Sequence, residues 1–317
     1  MLNFYRLPQD YLKFTGNERL DLINRLSSNM VLPLDKFSCV KTVLTSDKGR
    51  IIDLLTLYNL GEVIFASCSF NNAKAVQAHL DKYTIMDDFT AVDLSGAHNA
   101  ILFFGNRAIE FVSLFAGCNI ASLNEGRFLV TAEHDAIITL NDNAFGGAEF
   151  IYSAADKDYW ENKIFAAESR SEFTLNEIND AEYNVLRVEH GIPAFGREMS
   201  ELTNPLECSL NRYVSFTKGC YIGQEVIARL DAYDKISKHL TGFRIFADTM
   251  PAEAGQFKIT IDGKECGFLT STAYSETYGY IALGFVKTIF LDYGKTYKLK
   301  YNEGLLDCSI VKLPFTA

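Results

Sequence analysis

The 317-residue sequence has no apolar run near the roughly 18 residues that a membrane span needs, since AILFFG at 100–105 ends in Asn106-Arg107. It has no C-x-x-C. Its seven cysteines (Cys39, Cys68, Cys118, Cys208, Cys220, Cys266, Cys308) are odd in number and widely spaced, so neither a disulfide framework nor a zinc ribbon is readable. The five histidines (His79, His98, His134, His190, His239) form no H-x-x-x-H pair, and the spacing proposes no metal site. The N-terminus lacks both a basic stretch leading into an apolar one and an Arg/Ser-rich amphipathic pattern, so no signal or transit peptide is expected. An excess of positive charge is also missing. Thirty Lys+Arg stand against 40 Asp+Glu, a net charge of −10, which argues against a protein that coats nucleic acid indiscriminately. What remains, at 48% hydrophobic and 22% charged residues, is a globular chain of about two domains, expected in the cytoplasm and off the membrane.

Along the chain, Thr15-Gly16-Asn17-Glu18 reads as a capping box before an amphipathic stretch with Leu20, Ile23 and Leu26 on one side. Lys41–Leu44 and Ile51–Tyr58 read as a hairpin around Ser46-Asp47-Lys48-Gly49. Ala73–Tyr83 and Asp156–Glu168 read as helices, and Phe128–Leu140 as one strand. Asp180 starts a further helix running through His190, with Gly191 at the C′ position and Pro193 beyond it. Strands and helices alternate without a tight βαβ rhythm or a glycine-rich dinucleotide fingerprint, which predicts an α+β fold with antiparallel pairing. From about 237 onward the helical period disappears. Asp262-Gly263 between two apolar runs suits a type I′ hairpin, Tyr297–Tyr301 alternates before Asn302-Glu303-Gly304, and the last 80 or so residues read as a small all-β barrel or sandwich. The expected division is 1–236 and 237–317, with the boundary at Lys235–Lys238. No internal repeat or low-complexity segment is visible.

Two segments carry chemical information. In Val185–Pro193, Glu189 falls on the apolar stripe of the helix, four residues after Val185 and three after Leu186. A carboxylate there is costly unless it is paired. Either it answers a core arginine or backbone amides, or it frays out at the helix end, or it presents acceptors to a nitrogen-rich ligand such as a pterin. In Lys218-Gly219-Cys220-Tyr221-Ile222-Gly223-Gln224-Glu225, followed by Ala228-Arg229, two glycines bracket a cysteine and an aromatic residue. Gly223 opens a short helix with Gln224 and Glu225 in its first turn, and Cys220 beside Lys218 is placed where thiol pKa values fall. The plain alternative is a glycine turn with a buried cysteine. Residues 212–244 hold Arg212, Lys218, Arg229, Lys235, Lys238 and Arg244 against Glu225, Asp231 and Asp234, a local positive excess suited to an anion.

The string KGCYIGQE with a following AR resembles the signature of the YgfZ-type proteins, a branch of the folate-binding superfamily that includes the glycine-cleavage T-protein, an aminomethyltransferase. LRVEHGIP (186–193), GREM (196–199) and Pro205-Leu206-Glu207 occur before it in the order this family shows, with LTSDKGRIIDLL (44–55), GFLTS (267–271) and IALGFV (281–286) resembling its N-terminal hairpin and C-terminal barrel. The resemblance implies a T-protein-like region of two interleaved α+β subdomains around a central hole, with a small barrel appended, and tetrahydrofolate or a relative as ligand. It places Glu189 at the pterin-binding glutamate, and Lys218, Gly219, Tyr221, Gly223, Gln224, Glu225 and Arg229 around the ligand. The basic segment would meet the folate's glutamate tail. It further implies an accessory role, through Cys220, in assembly or repair of iron–sulfur proteins and in tRNA modification that depends on such enzymes. Iron–sulfur proteins or their assembly factors, and tRNA or its modifying enzymes, would be partners.

The alternative is folate-dependent aminomethyl or one-carbon transfer. Aminomethyltransferases carry a paired Asp-Asp in the first hairpin, where this chain has Asp53-Leu54, so Asp53 is the catalytic candidate left on that strand. A third reading is an RNA-binding module using the basic segment.

Overall fold

The computed structural model describes residues 2–143, 145–233, 235–249, 257–301 and 304–315. The chain forms two compact units. The first comprises Met1–Ser46, Ile52–Asn179 and Tyr213–Ile222; the second comprises Asp47–Ile51, Asp180–Arg212 and Gly223–Ala317. Among the described residues no helix is long and apolar enough to cross a membrane.

The first unit opens with β1 (Leu2–Leu7), β2 (Gln9–Thr15) and α1 (Arg19–Leu26), then β3 (Cys39–Thr45), β4 (Ile51–Asn59) and β5 (Ile64–Ser69). After α2 (Ala73–Tyr83) come β6 (Thr90–Asp93), β7 (His98–Gly105) and α3 (Ala108–Ala116). It continues through β8 (Phe128–Val130), β9 (Ile137–Leu140), β10 (Ala148–Ser153), α4 (Lys157–Ser169) and β11 (Leu175–Glu177). These strands make a five-stranded sheet, β3-β4-β5-β2-β6, and a six-stranded one, β11-β1-β7-β10-β9-β8. Among the described residues β1 and β11 pair in parallel, while β1–β7, β7–β10, β10–β9, β9–β8, β2–β5, β2–β6 and β4–β5 pair antiparallel, as the missing βαβ rhythm predicts.

Side-chain alternation sorts this unit into layers. Leu12, Phe14, Leu57, Ile64 and Ala66 point to α1 and α2, where Leu22, Ile23, Val76 and Leu80 meet them. Ile101, Phe103, Ile138 and Phe150 pack against Phe111, Phe115, Trp160 and Ile164 of α3 and α4. The intervening positions Tyr11, Tyr58, Phe65, Ala100, Ile137 and Ile151 form a third core between the sheets. A period of two, buried on both sides, produces this division.

Two sequence expectations are corrected. Residues 128–140 are not one strand: β8 and β9 pair antiparallel, Phe128 opposite Thr139, and His134 and Asp135 turn the chain with φ of 57° and 42°. The capping box does not form either. Glu18 makes no side-chain cap; instead Asp88 accepts from the Asn17 amide and Glu18 accepts from the Asp88 amide, a tie between distant loops.

The second unit contains α5 (Asp180–Glu189), α6 (Gln224–Ala232) and six strands: β12 (Lys238–Phe246), β13 (Lys258–Ile261), β14 (Lys264–Ser275), β15 (Gly279–Lys287), β16 (Thr296–Tyr301) and β17 (Gly304–Val311). The strands close into a barrel in the order β12-β15-β14-β13-β16-β17, which leaves no edge exposed. Asp262 and Gly263 both have positive φ, 50° and 74°, the type I′ signature expected there. Along β16 Tyr297 and Leu299 point inward while Lys298 and Lys300 are exposed. Asn302 and Glu303 of the expected turn, and Asp234 of the basic segment, lie outside the described residues. Gly191 (φ +70°) ends α5 in a Schellman motif: the Ile192 amide donates to the Arg187 carbonyl at 2.8 Å and the Gly191 amide to that of Val188 at 3.1 Å.

Candidate functional site

The KGCY segment belongs to the first unit, and Lys218 explains its course. This lysine is 6% exposed, and its ammonium donates to the carbonyls of Asn24, Ser27 and Asn29 at 2.7, 2.8 and 2.6 Å. The first two lie at the C-terminal end of α1, where helical carbonyls lack internal partners and the dipole favours a cation. The ammonium also stands 5.1 Å from the Tyr221 ring centre. Burial pushes its pKa down to about 8. Two residues later the Ile222 amide donates to the Arg25 carbonyl at 2.9 Å, and the Thr45 hydroxyl donates to the Ile222 carbonyl at 2.8 Å. The segment is thus pinned at both ends, with Tyr221 buried and its hydroxyl pushed up to about 12. Gly219 and Cys220 are displayed between the pins. Cys220 is the one exposed cysteine; Cys39 and Cys118 are half-buried and the other four are buried. A Cβ on Gly219 would meet nothing within 4 Å, so its backbone is not constrained by neighbours.

Asp53, also in the first unit, is fully buried on β4. Its carboxylate accepts from the Leu54 amide (2.7 Å), the Ser69 amide (3.0 Å) and hydroxyl (2.7 Å), and the Asn72 amide group (2.9 Å). Burial raises its pKa more than these donors lower it. Leu54, on the opposite side of the strand, is half-buried and apolar. The Ser69 and Asn72 partners were missed in the sequence; the only signal is their position at the end of β5 and the start of α2.

In the second unit, α5 buries Arg187 and Val188, while Val185, Leu186 and Glu189 are half-buried. The buried arginine of α5 is Arg187, and it is paired with another acid. Its guanidinium meets Glu198 at 3.1 Å, Ser271 at 2.5 Å, Asn184 at 3.1 Å and the Ile192 carbonyl at 3.3 Å. Glu198, wholly buried, also accepts from the Ala194 amide and the Thr270 and Ser271 hydroxyls. Burial lowers the Arg187 pKa. Neither member of this pair was singled out from sequence, although an arginine between Leu186 and Val188 is a legible oddity. Among the described residues the Glu189 carboxylate has no recorded hydrogen bond, so both oxygens remain free for a ligand carrying N–H donors, as a pterin does. Its own carbonyl accepts from the Phe315 amide at 2.8 Å, which fixes the backbone beneath it.

Gly223 enters α6 with φ +78°, half-buried Gln224 and exposed Glu225 follow it, and Arg229 is exposed one turn on. The site residues therefore divide by unit: Asp53, Lys218, Gly219, Cys220 and Tyr221 in the first, and Glu189, Gly223, Gln224, Glu225 and Arg229 in the second. The basic segment is less free than its composition suggests. Lys218 is spent on carbonyls, Lys238 lies over the rings of Phe268 and Phe285, and Arg244 lies over Tyr278. Among the described residues no three His, Cys, Asp or Glu side chains gather as a metal site.

Residues 10–218 match the model of the GCVT N-terminal domain, and residues 238–316 match that of the glycine cleavage T-protein C-terminal barrel domain. A chloroplastic protein of Arabidopsis thaliana with a provisional transferase name is 44% identical over 300 residues, covering 90% of this chain; the chain spans 65% of that protein's length. The aminomethyltransferase of Halothermothrix orenii is 24% identical over 314 residues, covering 95% of this chain and 84% of its own. In fold the chain is similar to the crystal structure of aminomethyltransferase T of the Bartonella henselae glycine cleavage system, with a TM-score of 0.85 and 19% identity, covering 99% of this chain and 86% of that one. Proteins of this type use tetrahydrofolate as substrate or cofactor. With both domain models matched in order along most of its length, the chain belongs to the glycine-cleavage T-protein family.

Proposed function

We propose that this chain binds tetrahydrofolate through Glu189 and takes part in folate-dependent transfer of a one-carbon group, the activity type for which its aminomethyltransferase relatives are named. The observation that carries this reading is the unpaired, half-buried Glu189 carboxylate next to an Arg187 already committed to Glu198. Two acceptor oxygens in one plane suit the adjacent N–H and amino groups of a pterin edge. Glu189→Gln keeps the shape but turns a donor toward those groups. The expected loss is about 1.5–3 kcal/mol, or about one to two decades in Kd by calorimetry. Unchanged affinity in a folded variant would remove Glu189 from the site. Turnover with lipoyl-carried aminomethyl and tetrahydrofolate tests the transfer itself.

Cys220 favours a second reading, the YgfZ-type one: a cytoplasmic, folate-binding accessory to iron–sulfur assembly or repair, with iron–sulfur-dependent tRNA modification downstream. The exposed thiol and the apolar Leu54 beside a saturated Asp53 support it, because that strand then offers no free carboxylate for aminomethyl transfer. If transfer activity is absent and Cys220→Ser abolishes support of iron–sulfur enzymes in cells, this second reading stands. Robust turnover that is indifferent to Cys220 decides for the first.

A further inference from the structure

We propose that the first unit carries a separate binding site for a small carboxylate with an apolar, ring-sized body, in the cavity lined by Lys13, Lys36 and His98. The cavity measures about 550 Å³, within the size range of small-molecule sites. Its floor is apolar, with Phe65 on β5 and Leu94 after β6; Lys13 comes from β2, Lys36 from the segment before β3, and Glu62 from the β4–β5 turn. Two lysines and one glutamate thus line the cavity in a chain whose net charge is −10, and the Lys36 ammonium also lies 4.9 Å from the Phe37 ring centre. Among the described residues neither lysine has a recorded ion-pair partner. The Lys36 stem runs along Gly61, where an added Cβ would lie 3.3 Å from it and φ is +103°, so glycine at the turn gives this lysine its path.

His98 supplies the third polar group. Its ring stands 4.8 Å from Phe65 and 5.5 Å from Tyr11 between centres, and its Nδ1 is closed to solvent with no hydrogen-bond partner. A buried N–H without a partner is rarer than a buried acceptor without one, so the neutral imidazole places its proton on Nε2. Burial lowers the His98 pKa, which keeps that neutral form at pH 7. One N–H and two ammonium groups above an aromatic floor match a single carboxylate attached to a hydrocarbon body. The polar groups orient it, and the floor supplies the burial that a bare inorganic anion cannot use.

The test is an amide and imidazole NMR titration of the full chain with 3-phenylpropionate, its uncharged amide 3-phenylpropionamide, and inorganic phosphate. 3-Phenylpropionate is expected to shift Gly61, Phe65 and His98 saturably, with the amide and phosphate each about tenfold weaker or more. Lys13→Met and Lys36→Met are each expected to weaken the carboxylate about tenfold, and His98→Phe, which keeps a ring, to weaken it several-fold. Glu189→Gln, expected to weaken folate, is expected to leave the 3-phenylpropionate titration as in the wild type, which separates this site from the folate reading. No saturable shift up to about 10 mM, equal binding of the amide or of phosphate, or indifference to both lysine substitutions would each overturn the proposal.

Discussion

Arg187 and Glu198 meet at 3.1 Å with side chains 6% and 0% exposed, and this pair, tied to Ser271 of β14, joins α5 to the barrel wall. Removing one member leaves the other charged, buried and uncompensated. Arg187→Met or Glu198→Gln is expected to lower stability by about 3–5 kcal/mol in urea unfolding, while the double variant loses less than the sum. Additive losses would show that the two groups act independently.

Asp53 links stability to pH. Its folded pKa is raised, so the folded chain keeps a proton that the unfolded chain, with an ordinary value of about 4, has released. Between those values the folded state binds more protons, and stability falls as pH rises through the window. Asp53→Asn removes this slope and turns an amide toward the Ser69 and Asn72 donors, at an expected cost of about 1–3 kcal/mol at pH 7. The gap between the two proteins should widen at about pH 5. A constant gap would mean that the four donors outweigh burial.

Lys218 works in the opposite direction. With a folded pKa of about 8 against about 10.4 in the unfolded chain, the unfolded state binds more protons between those values. Stability attributable to this group therefore rises with pH across that window. Lys218→Met is expected to cost several kcal/mol at neutral pH, about 1–3 for each carbonyl of Asn24, Ser27 and Asn29 left without a donor. Denaturant unfolding at about pH 7 and pH 10 should show a wild-type advantage that grows with pH.

Cys220 should be the first thiol alkylated at limiting iodoacetamide, read by peptide mass spectrometry. It is exposed, whereas burial pushes Cys208 and Cys308 up to about 12 and Cys68 higher still. Cys220→Ser is expected to change stability by less than about 0.5 kcal/mol, as surface substitutions do. Labelling of Cys68 or Cys308 at the same rate would end the special role given to Cys220.

What the sequence by itself determined is what neighbouring residues encode. The period of two along β16, the Asp262-Gly263 turn, the helix Ala73–Tyr83 and the Gly191 stop of α5 rest on local sterics and on which side of an element is apolar. The motif strings, by their resemblance to known proteins, pointed to the T-protein family. Only the tertiary structure decided the partners of the charged residues. Lys218 meets Asn24 across 194 positions, Glu198 meets Ser271 across 73, and Asp53 finds Ser69 across 16. A buried charge is satisfied by whichever polar groups the packed elements bring near it, and that proximity has no local periodicity to read. For this reason Lys218 looked like a cation beside a thiol and proved to hold the end of α1.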